Sequence, residues 1–381
     1  MQHTKKILPV LIAGALVSGS ALATNGYAPH GIGMKSKGMG GVFIAHQGEA
    51  TATGGNPAGS AWMDNRVDLG VSMFRPQREA EISDSAFGDF VNGTYDGNGL
   101  EIFPIPEFGY RRGLNNDTAF AVSMFGNGGM NTDYKDGIPL FNQTGSRTGI
   151  DLAQLFIVPN LSYKVNSNNS IGVGLNVVAQ RFKANGLQNF AGTAPNPQFS
   201  ESPDKVTNNG SEWAYGAGVR IGWMGKVSSD VTLGATYQSR NYLSDFDEYA
   251  GLFAEQGDFD VPANFGVGIA WQATPDLLIA ADVVQIQYSD VDSIANPLSN
   301  LTELGQPLGS DNGPGFGWED MTVIKLGVEY QVNPTLVLRA GYNHSEQPIP
   351  DSETLFNILA PGVVEDHLTL GGTWTLNNGM E

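Results

Sequence analysis

The chain has no cysteine among its 381 residues. Disulfide staples, thiolate metal ligands and a lipid anchor on an N-terminal Cys are therefore all excluded. Long apolar runs are also missing. After residue 23 no stretch approaches the roughly 18 consecutive apolar residues that a membrane helix requires, so any bilayer crossing is made by strands. Positive charge is scarce, with 20 Lys and Arg against 39 Asp and Glu, a formal net charge of -19 that argues against nucleic acid as a partner. Of five His, one is His3 near the start, and the chain has no His-x-x-x-His pair, no Gly-x-Ser-x-Gly and no phosphate loop. No catalytic residue, metal or cofactor is expected.

The chain opens with the marks of a secretory signal. Lys5 and Lys6 precede an apolar core from Ile7 to Val17, and Ala21 and Ala23 stand before an expected cut ahead of Thr24. Residues 1–23 are thus set apart from the fold. Thr24 to Asp64 follows, rich in Gly and small residues, with neither strand alternation nor a long helical face. Its place ahead of a long run of hairpins reads as a plug, or hatch, folded into a barrel.

From Arg66 onward apolar-alternating segments are joined in turn by tight polar turns and long loops. The tight turns are Asn115-Asn116-Asp117, Asn166 to Asn169, Ser228-Ser229-Asp230, Thr274-Pro275-Asp276, Asn333-Pro334-Thr335 and Asn377-Asn378-Gly379. Each carries side chains suited to turn geometry. Short turns at one end and long loops at the other mark an outer-membrane barrel. The alternation is clearest in Trp213, Tyr215, Ala217, Val219, Ile221 and Trp223, an aliphatic stripe with aromatics at both ends, set against Ala214, Gly216, Gly218, Arg220, Gly222 and Met224. We expect an all-β, transmembrane antiparallel β-barrel over residues 65–381 with twelve strands, at 66–82, 105–114, 118–126, 152–165, 170–184, 212–226, 231–245, 261–273, 277–289, 321–332, 336–346 and 366–376.

The same alternation places Glu107, Arg111, Arg220, Arg240, Asp282, Lys325, Glu329 and Arg339 on the lumen face. Energetics agrees, because Arg or Lys facing lipid at mid-membrane costs roughly 2–4 kcal/mol. Two readings stay open for these charges. They form an ion-pair network that braces the N-terminal segment, or cations among Lys325, Arg339, Arg240 and Arg220 meet the carboxylate of an amphipathic ligand. The acidic group Asp245, Asp247, Glu248, Glu255, Asp258 and Asp260 falls in one loop and reads as a solvated surface, with divalent bridging to anionic lipid as the alternative. Three apolar groups also lie in loops: Tyr249, Leu252 and Phe253; Leu298, Leu301, Leu304 and Leu308; and Leu355, Phe356, Ile358 and Leu359. They read as a packed lid or as a groove that captures greasy ligands. Gly126-Asn127-Gly128-Gly129 interrupts the third strand and reads as a bulge or bend.

Gly31-Ile32-Gly33, Lys37-Gly38-Met39-Gly40-Gly41, Ala50 to Thr53 and Asn56-Pro57-Ala58 resemble the hatch of the FadL/TodX family of outer-membrane transporters of long-chain fatty acids and other hydrophobic compounds. Residues 354–371 also resemble that family. The resemblance implies a fourteen-stranded barrel, so that this chain would lack its last hairpin. It also implies passive uptake with capture in the extracellular loops, a pocket gated by the hatch, and lateral exit where the third strand kinks. By the same resemblance Arg181 is the nearest match to a basic residue associated with the ligand's head group. The expected partners are a long-chain fatty acid or other hydrophobic small molecule and outer-membrane lipid, with a monomeric protein. A structural or adhesive barrel without transport is the alternative.

Overall fold

A computed structural model describes residues 24–192 and 199–381, and the expected signal at 1–23 lies outside the described residues. Among the described residues twelve strands of eight residues or more follow one another as a continuous antiparallel meander, each paired with its neighbours in sequence. They are β1 (Arg66–Phe74), β2 (Phe103–Gly113), β3 (Thr118–Asn131), β4 (Gly149–Lys164), β5 (Asn169–Asn185) and β6 (Glu212–Lys226). The second half comprises β7 (Val231–Gln238), β8 (Asn264–Thr274), β9 (Leu277–Ile286), β10 (Met321–Asn333), β11 (Leu336–Ser345) and β12 (Asp366–Trp374). β1 and β12 are the ends of the sheet.

The tight turns form as their residues dictate. Asn115 Oδ1 accepts from the amides of Asp117 and Thr118, Asn166 Oδ1 from those of Asn168 and Asn169, and Ser228 Oγ from Asp230 and Val231. Two expected strands are shorter than their pattern. The first stops at Phe74, ahead of Pro76, and Glu79–Ile82 pairs instead with Gly93–Asp96 as a separate hairpin. The seventh stops at Gln238, and Tyr242–Leu243 folds back onto Gly216 and Ala217 of β6. The third is longer than expected. It continues through its glycines to Asn131 with a register shift between Gly126 and Gly128.

The two faces of the sheet divide as the alternation requires. Trp213, Tyr215, Val219 and Ile221 are exposed on the outer face of β6, while Ala214, Arg220 and Met224 are buried on the inner one. Among the described residues no helix is long and apolar enough to cross a membrane.

Residues 24–64 lie along the inner face in short pieces: a helical turn Met34–Lys37 and two 3-10 turns, Ala50–Gly54 and Pro57–Trp62. Backbone packs directly against backbone here. A Cβ added to Gly172 of β5 would come within 2.4 Å of the Pro57 carbonyl carbon, and one added to Gly341 of β11 within 2.0 Å of the Gly40 nitrogen. This approach explains why glycine stands at these positions of the wall. Real Cβ atoms do not approach so closely, so glycine is what lets the segment touch the wall.

Candidate functional site: an aromatic space at the loop end and a break in the wall

The inner charges hold the N-terminal segment. Asp282 Oδ2 accepts from the amides of Phe43 (2.8 Å) and Ile44 (3.0 Å), and Lys325 Nζ donates to the carbonyls of His30 (2.9 Å) and Gly41 (3.3 Å). Arg220 donates to the Gly55 carbonyl at 3.0 Å and to Gln238, and Arg111 to the Ser60 carbonyl at 2.9 Å. Lys37 of the segment pairs with Glu107 of β2. Asn56 is fully buried. Its Nδ2 donates to the carbonyls of Ile44 (2.8 Å) and Trp223 (3.2 Å), and its Oδ1 accepts from Ala58 N (3.1 Å), capping the turn that Pro57 begins. Glu49 accepts from the amides of Met34, Lys35 and Ser36. Burial raises its pKa, and those amides counter the rise only in part.

The five cations expected to meet a ligand do not converge. Lys325 and Arg220 are bonded to the segment as above. Arg339 pairs with Glu329 at 2.7 Å and donates to Thr373 at 2.7 Å. Arg240 sits at the loop end, held by Asp258 (2.9 Å), Asp260 (2.6 Å) and the Asp290 carbonyl (2.6 Å). Arg181 lies on the outer face of β5, where its alternation puts it, paired with Asp151 of β4 at 2.6 Å. The acidic loop is therefore more than a solvated surface at Asp258 and Asp260, which are buried around Arg240. Burial and the neighbouring Asp260 push the Asp258 carboxyl up to about 7, against the pull of Arg240.

Above this polar floor the chemistry changes. Phe182 of β5 stacks edge-on with Tyr249 (4.8 Å between ring centres) and Phe253 (4.7 Å). The contacts continue through Phe259 and Phe316 to Trp318. Phe182, Leu252, Phe253, Leu308, Phe316 and Phe356 surround a cavity of about 40 Å³. Members of all three apolar loop groups meet there. Leu304 does not; it is exposed. A cavity of that size takes only a few water-sized groups, so a larger guest enters by moving rings aside.

The start of the segment closes the chain of rings. Tyr27 is buried between Trp318 (5.9 Å) and Tyr288 (5.4 Å), and Tyr288 donates to the Asn25 carbonyl at 2.7 Å. Burial, and then the nearby Tyr288, holds the Tyr27 hydroxyl far above its ordinary pKa, so it stays protonated. The Tyr27 carbonyl in turn accepts from Gly129 N at 3.2 Å, seating the segment on the bulge of β3. Gly128 has φ 143° and no room for a side chain, since a Cβ there would meet the Tyr27 carbonyl oxygen at 2.1 Å. Beside the bulge an amide ladder runs inward: Asn127 to Gln154 (3.1 Å), Gln154 to Gln180 (2.7 Å), Gln180 to the Phe259 carbonyl (3.0 Å).

The wall is broken at the same place. β3 keeps pairing with β4 up to Asn131 and Asp151, but its pairing with β2 stops at Met124 and Phe108. Above that pair β2 runs on to Phe103 with β1 only. Sequence reasoning found Gly126 to Gly129 and missed Tyr27, Phe182, Phe316 and Trp318. Tyr27 carries no pattern of its own, Phe182 falls inside an expected strand, and Phe316 and Trp318 fall between expected strands with no spacing to mark them.

Over residues 10–381 the chain matches the family model described as outer membrane protein transport protein (OMPP1/FadL/TodX). No curated protein sequence matches it. Its fold is similar to that of the Pseudomonas putida toluene transporter TodX, with 20% identity and a TM-score of 0.67 over 93% of this chain and 91% of that one. It is also similar to a Pseudomonas aeruginosa FadL homologue, with 17% identity and a TM-score of 0.62 over 92% and 88%. A third solved structure, the Ralstonia pickettii toluene transporter TbuX, shares 19% identity and a TM-score of 0.57 over 83% and 86%.

Proposed function

The chain belongs to the OMPP1/FadL/TodX family of outer-membrane transport proteins, and from that premise we propose how it moves its cargo. It is a transporter of hydrophobic compounds in the bacterial outer membrane, not an enzyme. In our reading residues 1–23 are removed on export, the sheet closes into a barrel that acts as a monomer among outer-membrane lipids, and residues 24–64 form its hatch. Cargo is captured by the apolar loop groups, settles among Phe182, Phe253, Phe316 and Phe356, and passes Tyr27 when the first residues of the hatch withdraw. It then leaves sideways beside β3 into the membrane. The observation that carries this reading is Tyr27, which packs against the aromatic cluster with its ring and bonds to the β3 bulge with its carbonyl. Sideways release also agrees with the energetics, because an apolar tail loses about 0.8 kcal/mol per CH2 exposed to water.

The geometry favours an uncharged hydrophobic cargo such as an aromatic hydrocarbon. The pocket is lined by rings and aliphatic groups, and Lys325, Arg339 and Arg220 are already bonded to the chain. Long-chain fatty acids remain a second reading, carried by Arg240. Asp258, one of its two carboxylate partners, takes up a proton near neutral pH, which would leave the guanidinium open to a ligand carboxylate.

The test is uptake of labelled toluene and labelled oleate by cells that lack their own transporter and express this chain. Toluene uptake indifferent to Arg240→Met supports the first reading, and oleate uptake abolished by that change supports the second. Uptake of neither overturns transport and leaves a structural or adhesive barrel.

A further inference from the structure

The break in the wall has a cause on β2 as well as on β3. β2 begins Phe103-Pro104-Ile105-Pro106-Glu107. Proline has no N–H to give and within sheets is confined to edges, yet the ladder between β1 and β2 runs unbroken past both prolines, from Phe74 and Phe103 down to Arg66 and Arg111. Successive residues of a strand turn their N–H groups alternately to one neighbour and the other. A ladder intact on the β1 side therefore puts both proline nitrogens on the β3 side.

Extending the β2–β3 register beyond Phe108 and Met124 would set Pro106 against Gly126 and Pro104 against Gly128. The donor is missing on β2 at each of the two pairs, and on β3 the bulge shifts the chain between them. Ile105 lies so close that a Cβ on Gly126 would be 2.6 Å from its Cγ2. Above the break, Arg78 spans the two edges. Its guanidinium donates to the carbonyl and the Oδ1 of Asn131 at the end of β3 (both 2.6 Å) and to the Leu100 carbonyl, and lies over the Phe103 ring of β2.

We infer that Pro104 and Pro106 are positioning residues for transport: they keep β2 from zipping to β3 and so hold a slot open in the wall, with the pair Phe108 and Met124 as its sill, Arg78 across its top and Ile105 beside it. This rests on the lateral-exit reading above and adds the residues that make the exit permanent. Where the two strands are unpaired, a rotamer change at Ile105 widens the slot with no β2–β3 hydrogen bond to break, and the slot passes apolar groups in preference to hydrated ones.

The test is the double substitution Pro104→Thr and Pro106→Thr in the full chain, with assembly checked first by the heat-dependent gel shift of folded outer-membrane proteins. Three quantities are then read: amide exchange over residues 125–131, affinity for toluene in detergent, and toluene uptake. The expected result is slower exchange in that stretch, affinity within about twofold of the parent, and uptake lowered about tenfold or more, equivalent to ~1.4 kcal/mol. Each single substitution keeps one blocked pair and should fall between. Ile105→Ala, which leaves the backbone alone, should raise uptake of bulkier cargo. Unchanged exchange in a folded double variant overturns the inference, as does slower exchange with undiminished uptake. If the parent protein takes up no cargo, the transport reading fails, and exchange alone still decides whether the prolines hold the strands apart.

Discussion

Around Asn56 the N-terminal segment is fixed to the sheet by hydrogen bonds that leave little freedom, whereas around Tyr27 the same segment is held mainly by rings. Arg220, Arg111, Asp282, Lys325 and Asn56 each satisfy backbone groups of residues 30–60 at one geometry only. At the other end the carbonyls of Asn25 and Tyr27 accept from Tyr288 and Gly129, and the Tyr27 ring packs against Tyr288 and Trp318. Apolar contacts are non-directional and can be remade with a guest. Buried polar groups cannot be left unpaired without a penalty. The difference teaches where motion is available: at Thr24 to Tyr27, and not at the stretch that carries Asn-Pro-Ala.

Substitutions can break that comparison in order of size. Asn56→Ala strips partners from Ile44 O, Trp223 O and Ala58 N at a fully buried site, so we expect on the order of 3–5 kcal/mol of lost stability. The fraction of folded protein on a semi-native gel reads this directly. Lys325→Met strips the donor from the buried carbonyls of His30 and Gly41 and should cost about 2–3 kcal/mol by the same assay. Cargo affinity in the protein that does fold should stay within about twofold, because Nζ is occupied by His30 and Gly41. A strong loss of affinity would return Lys325 to the ligand site.

Phe253→Leu should do the opposite. It keeps most of the buried volume and removes about 1 kcal/mol of ring contact from the upper cluster, weakening toluene binding severalfold in a titration while the gel shift is kept. The last prediction concerns pH and is confined to one loop. Asp258 is held up to about 7 by burial, while a free Asp carboxyl ionises near 3.9. Between those values the folded chain binds a proton that the unfolded chain does not, so the loop loses stability as pH rises from about 4 to about 7. Proteolytic nicking within residues 239–263 should be slower at pH 5 than at pH 8, and Asp258→Asn should flatten the difference.

Much of the sheet was legible because a period of two is a local property. Trp213 to Trp223 could be assigned an outside and an inside without any partner strand. Ends of strands were less legible. Pro76 and the fold-back at Tyr242 depend on which neighbour offers a ladder, and the alternating pattern runs past both. Glu107, Arg111, Arg220, Asp282, Lys325 and Arg339 lie on the inner face as expected, whereas Arg240 lies past the end of β7; their partners were not legible, since Lys325 meets carbonyls of residues that carry no charge signal. The slot shows the same limit. The expected strand at 105–114 leaves Pro104 outside, and only the β1 ladder shows which way the nitrogens of Pro104 and Pro106 face.

The central claim is that cargo travels from the aromatic cluster past Tyr27 to the gap between β2 and β3. The measurement that tests it most directly is photocrosslinking of the reconstituted protein with a diazirine-bearing hydrocarbon, with the adducts mapped by peptide sequencing. The account expects adducts on Phe253, Phe316 and Phe356 and on the slot residues Ile105 and Met124. Adducts concentrated on residues 50–62, with none at the slot, would mean that cargo crosses the polar floor, and would contradict it.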